Sequence, residues 1–215
     1  KAKNKWIAFL DADDIWHKDK LAYQAKALTE NVAIVCCQYK FVSDVCQSTL
    51  NQVKAADLSV ELSNSELLNS PYLATPTIIV NKGMFDDIGG YNKGLKTAED
   101  LDLYLRLMLK GKIVQLGSEL VHCLISPNSL TTVHDTYENE IALYHSLLKE
   151  EAFAKNITDL QLHIEKCRLK KLKFLVFKRR LDDFFEYRNQ HNSMLPISKV
   201  WTLWLKAIIL KCLPV

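Results

Sequence analysis

The sequence predicts an α/β protein: a mixed sheet covered by helices, followed by a helical extension. Three observations carry that prediction. Short apolar runs with strand character alternate with helical stretches through the first part of the chain. From Asp135 onward the pattern is almost wholly helical. The composition, 48% hydrophobic and 25% charged over 215 residues, is that of a globular protein and excludes a disordered or fibrous chain. Six glycines and five prolines are too few for a linker-rich protein. At this length the chain is one large domain, or one domain with a helical appendage.

The elements follow in order. Lys5 to Leu10 is nearly all apolar and reads as a strand buried on both faces. It ends in acid, Asp11-Ala12-Asp13-Asp14. Lys18 to Glu30 reads as a helix with Leu21, Ala25 and Leu28 on its apolar side. Val32 to Val42, rich in β-branched and aromatic residues, is the next strand. Ser63-Asn64-Ser65-Glu66 has the spacing of a capping box, so a short helix starts there. Thr77 to Val80 is a strand, and a helical turn over Met84 to Ile88 stops at Gly89-Gly90. Glu99 to Lys110 is the clearest helix, with Leu101, Leu105, Met108 and Leu109 as its stripe and Gly111 as its stop. Lys112 to Leu116 and Glu119 to Ile125 read as two strands joined by a Gly-Ser turn. The helical remainder breaks near Asn156 and at Pro196.

The net charge of +3 is too small to argue for nucleic acid as partner, but it hides a split. Residues up to Glu140 hold 14 Lys or Arg against 18 Asp or Glu, while Ile141 onward holds 14 against 7. An acidic body thus carries a basic tail, which points to a polyanionic surface. Lys166 to Arg180 contains eight basic residues and no acid, interleaved with apolar ones. Ile197 to Leu213 mixes Trp201, Trp204, Leu205, Ile208 and Ile209 with three lysines. Such a segment is short for a membrane span and suited to lying in an interface, with an anionic membrane surface as partner. The six cysteines form no C-x-x-C pair, so a zinc ribbon or redox motif is excluded and buried free thiols are expected.

Carboxylates at the carboxyl end of a strand sit where ligands bind in open α/β sheets. Asp11 and Asp13 can aim into one crevice, and hard oxygen ligands at that spacing suit Mg²⁺ or Mn²⁺. An EF-hand fails, because Trp16 stands where its loop requires Gly. A phosphohydrolase with Asp11 as nucleophile and a solvated acidic turn capping the next helix both stay open.

The run Trp6-Ile7-Ala8-Phe9-Leu10-Asp11-Ala12-Asp13-Asp14-Ile15-Trp16, with Lys20, Leu21 and Gln24 behind it, resembles the D-x-D region of family 2 glycosyltransferases. Gly89-Gly90-Tyr91 through Ala98-Glu99-Asp100-Leu101-Asp102-Leu103-Tyr104-Leu105-Arg106-Leu107 is similar to that family's segment with the Glu-Asp base motif. The resemblance covers about residues 1–135. It implies a GT-A-like (Rossmann-like) mixed-sheet fragment over 1–135 and a basic helical tail over 136–215. It also implies an inverting, hexosyl-transferring, metal-dependent enzyme that moves a sugar from a nucleotide-sugar, UDP-sugars foremost, to a hydroxyl of a glycan or lipid-linked acceptor. Bacterial surface polysaccharide assembly would suit it, at the inner face of the cell membrane.

By the same resemblance Asp11 and Asp13 would bind the donor and its Mn²⁺ or Mg²⁺, with Asp13 as the direct ligand. Asp100 would be the general base, at a helix start whose dipole favours its ionised form. Glu99 would orient the acceptor, and Asp102 would be a first-turn helix charge outside the reaction. Trp16 is expected to pack beneath the acid turn.

Two departures from the family stand out. The resemblance implies that the opening strands and nucleotide-base pocket are missing and that Lys1 falls inside the catalytic domain, so residues 1–215 alone are expected to be inactive. A Tyr-Arg-x-His-like element before Ser129-Leu130-Thr131 is absent, Cys123-Leu124-Ile125-Ser126 standing there instead. His122 and His134 lie nearby, where a histidine is more often a satisfied residue than a ligand. The departures leave a rival reading, a degenerate transferase serving as a membrane or partner-binding module.

Overall fold

A computed structural model describes residues 2–43, 47–52, 59–69, 73–95, 97–125, 136–191 and 197–212. The chain divides into two compact units, Lys1–Val133 and His134–Val215. The boundary expected at residue 135 lies outside the described residues.

The first unit is a mixed six-stranded sheet. Its strands are β1 (Trp6–Ala8), β2 (Ile15–Trp16), β3 (Val32–Val42), β4 (Ser59–Leu62), β5 (Ile79–Asn81) and β6 (Lys112–Leu124). The order is β1-β5-β3-β6-β2, with β4 also paired to β6. Only β3 and β6 run parallel; the other pairs are antiparallel. Strand β3 lies between two neighbours, and its first six residues are buried, as its β-branched run dictates. Ala33, Ile34, Cys36, Val80 and Ile113 join Leu103, Tyr104 and Leu107 in one core cluster. Val32, Val35, Cys37, Leu116, Leu120, Val121 and Cys123 form a second, against Trp16, Tyr23 and Leu28. Cys36, Cys37 and Cys123 are buried free thiols, and burial holds the Cys37 thiol up at about 11.

Three expectations need correction. Strand β1 is not buried on both faces: it pairs with β5 alone and its residues are half-buried or exposed, because it forms the edge of the sheet. The first helix, α1 (Lys20–Ala25), is short and turned the other way, with Leu21 47% exposed and Lys20 and Gln24 buried. Hydrogen bonds decide this. Gln24 Nε2 donates to Val35 O (3.0 Å) and Thr77 O (2.8 Å), and the Lys20 ammonium sits 3.8 Å over the Trp16 ring. Its burial lowers Lys20 to about 8. Thirdly, residues 112–124 are one strand and not two. Cys37 pairs with Leu116 and Gln38 with Glu119, so Gly117 and Ser118 are absorbed as a bulge without a turn.

The helices α2 (Gln47–Leu50), α3 (Asn64–Asn69), α4 (Lys82–Asp87) and α5 (Glu99–Met108) complete this unit. The capping box forms: Ser63 Oγ accepts from Glu66 N (3.2 Å) and Glu66 Oε2 from Ser63 N (2.8 Å). Helix α4 ends with Gly89 and Gly90 left-handed, at φ 77° and 68°. The stripe of α5 is rotated from the expected one. Leu103, Tyr104, Leu105 and Leu107 are buried and Leu109 is exposed, since the helix lays that face on the sheet. Past it, Gly111 packs where a Cβ would stand 2.8 Å from Asn31 O and 3.0 Å from Met84. Lys112 N donates to that same Asn31 oxygen, so the backbone cannot retreat freely. Gly111→Ala is expected to cost about 1–3 kcal/mol in urea unfolding; unchanged stability would mean that the β6 entry is pliable.

The second unit consists of α6 (Tyr137–Leu147), a 3₁₀ segment at Glu151–Asn156, α7 (Ile157–Phe177), α8 (Leu181–Gln190) and α9 (Ile197–Cys212). Leu172, Leu175, Val176, Phe184, Tyr187, Val200 and Ala207 form its core. The expected break near Asn156 is present and the one expected at Pro196 lies outside the described residues; an unexpected break, at Arg179 with φ 55°, separates α7 from α8. The buried Cys167 thiol donates to Glu140 Oε2 at 3.3 Å.

Candidate active site

The acid cluster is a tight turn between β1 and β2. Asp14 N donates to Asp11 O (3.3 Å), closing the turn. Asp14 Oδ1 accepts from Leu124 N (2.9 Å) and so anchors the turn to the end of β6. Its carboxylate is thereby used structurally, a role that the spacing of the acids does not reveal. Asp11 and Asp13 are exposed. Trp16 is packed as expected, its Nε1 donating to Pro76 O at 2.7 Å.

Helix α5 brings the second pair of acids. It begins after Ala98, held in the left-handed region at φ 60°, and its first turn carries Glu99 and Asp100, both half-buried. Asp100 Oδ1 accepts from Leu101 N (2.7 Å). Asp102 is the first-turn helix charge expected of it, and it is buried. It is 5% exposed and ion-paired with Arg106, whose Nε lies 2.9 Å from Asp102 Oδ2. Arg106 also donates to Ile88 O (2.9 Å) and Gly90 O (2.8 Å). One guanidinium thus joins α5 to the glycine stop of α4, immediately before Tyr91.

The sheet register unites the two motifs. Ala8 lies opposite Ile79 in an antiparallel pair, so the chain leaving β1 runs beside the chain entering β5, Thr75 to Thr77. Thr75 Oγ1 is 3.1 Å from Tyr104 Oη, and Tyr104 stands one helical turn after Asp100. Tyr91 packs edge-on against Phe9 and Phe85. Burial, then the charges of Asp100 and Asp11, raise the Tyr91 phenol to about 12, with Glu99 adding to it. Burial and Asp100 likewise hold Tyr104 well above 10. Asp11 and Asp100 thus lie within electrostatic reach of both phenols, and Glu99 within reach of Tyr91. Tyr91, Tyr104 and Thr75 were not foreseen. The i,i+4 spacing of Asp100 and Tyr104 was the available signal.

Among the described residues no three His, Cys, Asp or Glu side chains form a protein cage for a metal ion. Asp11 and Asp13 nevertheless fit a divalent cation of the kind that takes one or two carboxylates and completes its shell with phosphate oxygens and water. Partial desolvation and the like charges of Asp14 and Asp13 raise Asp11 from its usual value, a strain that a cation would relieve. His122 is buried, with Nε2 3.1 Å from Glu119 Oε1. Ser126, the Ser129-Leu130-Thr131 run and His134 lie outside the described residues.

Comparison with known proteins gives the following. A family model described as "Glycosyltransferase like family 2" matches residues 1–166. An uncharacterized glycosyltransferase of Haemophilus influenzae is 23% identical over 145 residues, covering 66% of this chain and 49% of its own length. A putative teichuronic acid biosynthesis glycosyltransferase of Bacillus subtilis is 27% identical over 113 residues, covering 52% of this chain and 42% of its own. An uncharacterized glycosyltransferase of Rickettsia felis is 27% identical over 131 residues, 60% of this chain and 21% of its own. The chain spans about half the length of these relatives, or less.

Proposed function

The chain belongs to the family 2-like glycosyltransferases, and on that premise we propose that it serves an enzyme moving a sugar from a nucleoside diphosphate donor to a glycan or lipid-linked hydroxyl. The single observation that carries this reading is the meeting of the acid turn and the α5 start around Tyr91 and Tyr104. Donor-side carboxylates and a base-side carboxylate belong on either side of the transferred sugar.

In this reading Asp11 and Asp13 would hold Mg²⁺ or Mn²⁺ on the donor side of the site. The ion, when bound, neutralises charge on the leaving diphosphate. Asp100 takes the proton from the acceptor hydroxyl as its oxygen attacks the anomeric carbon. The carbon–diphosphate bond breaks on the opposite face, so a single displacement inverts the configuration. Tyr91 remains neutral and acts as a donor to sugar hydroxyls, leaving proton removal to Asp100, while Tyr104, buried and paired with Thr75, supports the start of α5 from within the core. Glu99 orients the acceptor. The name of the Bacillus relative supports surface polysaccharide assembly as the setting.

The test is calorimetry of the whole protein with Mn²⁺ and a panel of UDP- and GDP-sugars. Asp13→Ala, at an exposed turn position, is expected to weaken Mn²⁺-dependent donor binding about tenfold or more. Binding that survives the substitution unchanged sinks the metal assignment, and phosphate release without any acceptor would favour a phosphohydrolase instead.

A further inference from the structure

Helix α9 is apolar on two sides, and only one of them is covered. Val200 and Ala207 are buried in the core of the second unit, with Leu203, Trp204 and Leu210 packed against it. The other side carries Trp201, Leu205 and Ile209 at 59%, 53% and 52% exposure. These three are spaced by four, so they form one continuous stripe along the helix. Exposed Lys206 flanks it. Three large apolar side chains in line, one of them Trp, are more than scattered surface residues.

Charge decides what fits there. From Lys166 to Val215 the chain has twelve Lys or Arg against three acids. Two of those acids are already engaged, Asp182 by Lys211 and Asp183 by Arg180. A second copy of this chain would bring the same positive surplus to the contact and be repelled. An anionic partner would be attracted, and Leu and Ile side chains gain from acyl chains what a phosphate backbone cannot give them. No helix among the described residues is long and apolar enough to cross a membrane. The sixteen residues of α9 extend about 24 Å, less than the roughly 30 Å of a bilayer core.

We propose that α9 lies flat on an anionic lipid surface, with Trp201, Leu205 and Ile209 entering the headgroup–acyl boundary and Lys206 facing the headgroups. The other face keeps its packing on α7 and α8, so the whole unit docks without unfolding.

The full chain, sedimented with vesicles of phosphatidylcholine or of phosphatidylcholine mixed with phosphatidylglycerol, tests this without any sugar donor. The wild type is expected to bind the anionic vesicles, and to bind them less at high salt. Leu205→Glu with Ile209→Glu is expected to weaken binding about tenfold or more. Lys206→Glu is expected to weaken it several-fold for anionic vesicles only, and remains readable should the double variant lose its fold by circular dichroism. Equal binding to neutral and anionic vesicles, or variants that bind like wild type, would overturn the proposal. So would a dimer in sedimentation velocity that Leu205→Glu dissolves, since a second copy would then own the stripe.

Discussion

Asp100→Asn is expected to lower kcat by about 10³-fold, within the 10²–10⁴ that general base catalysis supplies, while donor binding stays near wild type. Asn is nearly isosteric, and its Oδ1 can still accept from Leu101 N as the carboxylate does. What it cannot do is take the acceptor proton. The measurement is steady-state transfer on the whole protein, with donor affinity followed separately by calorimetry. A variant that keeps its kcat would remove Asp100 from the role of base. Loss of donor affinity without a kcat effect would place Asp100 on the donor side instead. The high-lying phenols of Tyr91 and Tyr104 make them poor substitutes, because neither gives up its proton at neutral pH.

Arg106→Ala is expected to destabilise the first unit by about 2–4 kcal/mol, because it strands a buried carboxylate and two backbone carbonyls. Asp102 is 5% exposed, and Ile88 O and Gly90 O each lose a charged donor. Arg106→Lys should recover only part of the loss, since an ammonium cannot span three acceptors with the geometry of a planar fork. Thermal or urea unfolding of both variants reads the difference. Full rescue by Lys would mean that a positive charge near Asp102 suffices and that the fork is dispensable. The same change would loosen Tyr91, which follows Gly90 directly, so acceptor KM is expected to rise along with the lost stability.

Much of the architecture was legible where local chemistry alone decides. Val32–Val42 has the boundaries its β-branched run predicts. Ser63 and Glu66 cap as their spacing requires, and Gly89-Gly90 stops α4 in the conformation only glycine adopts without strain. The errors share another cause. Lys20 and Gln24 face inward because Trp16 and two backbone oxygens from distant segments lie there to receive them, and no helical periodicity contains that information. Asp102 is the first-turn charge its position predicts, but that Arg106 gathers it with Ile88 and Gly90 into a buried ion pair is a tertiary fact of the same kind. The motif residues Asp11, Asp13, Glu99 and Asp100 could be picked out one segment at a time. That Thr75 meets Tyr104 and that Phe9, just before the acid turn, meets Tyr91 are tertiary facts.

The anchoring of Asp14 to Leu124 has a kinetic consequence. That hydrogen bond closes a span of 110 residues, and it forms at the far end of the one parallel strand pair. Closing so long a span is slow, and so is the non-local parallel pairing of β3 with β6 that seats Leu124, since the entropy of loop closure is lost before the contacts compensate for it. The acid turn therefore acquires its shape among the last events of folding. On the proposed role of the turn, a nascent chain would carry the motif before it has a site for donor or cation, which would await the seating of β6 beside β3.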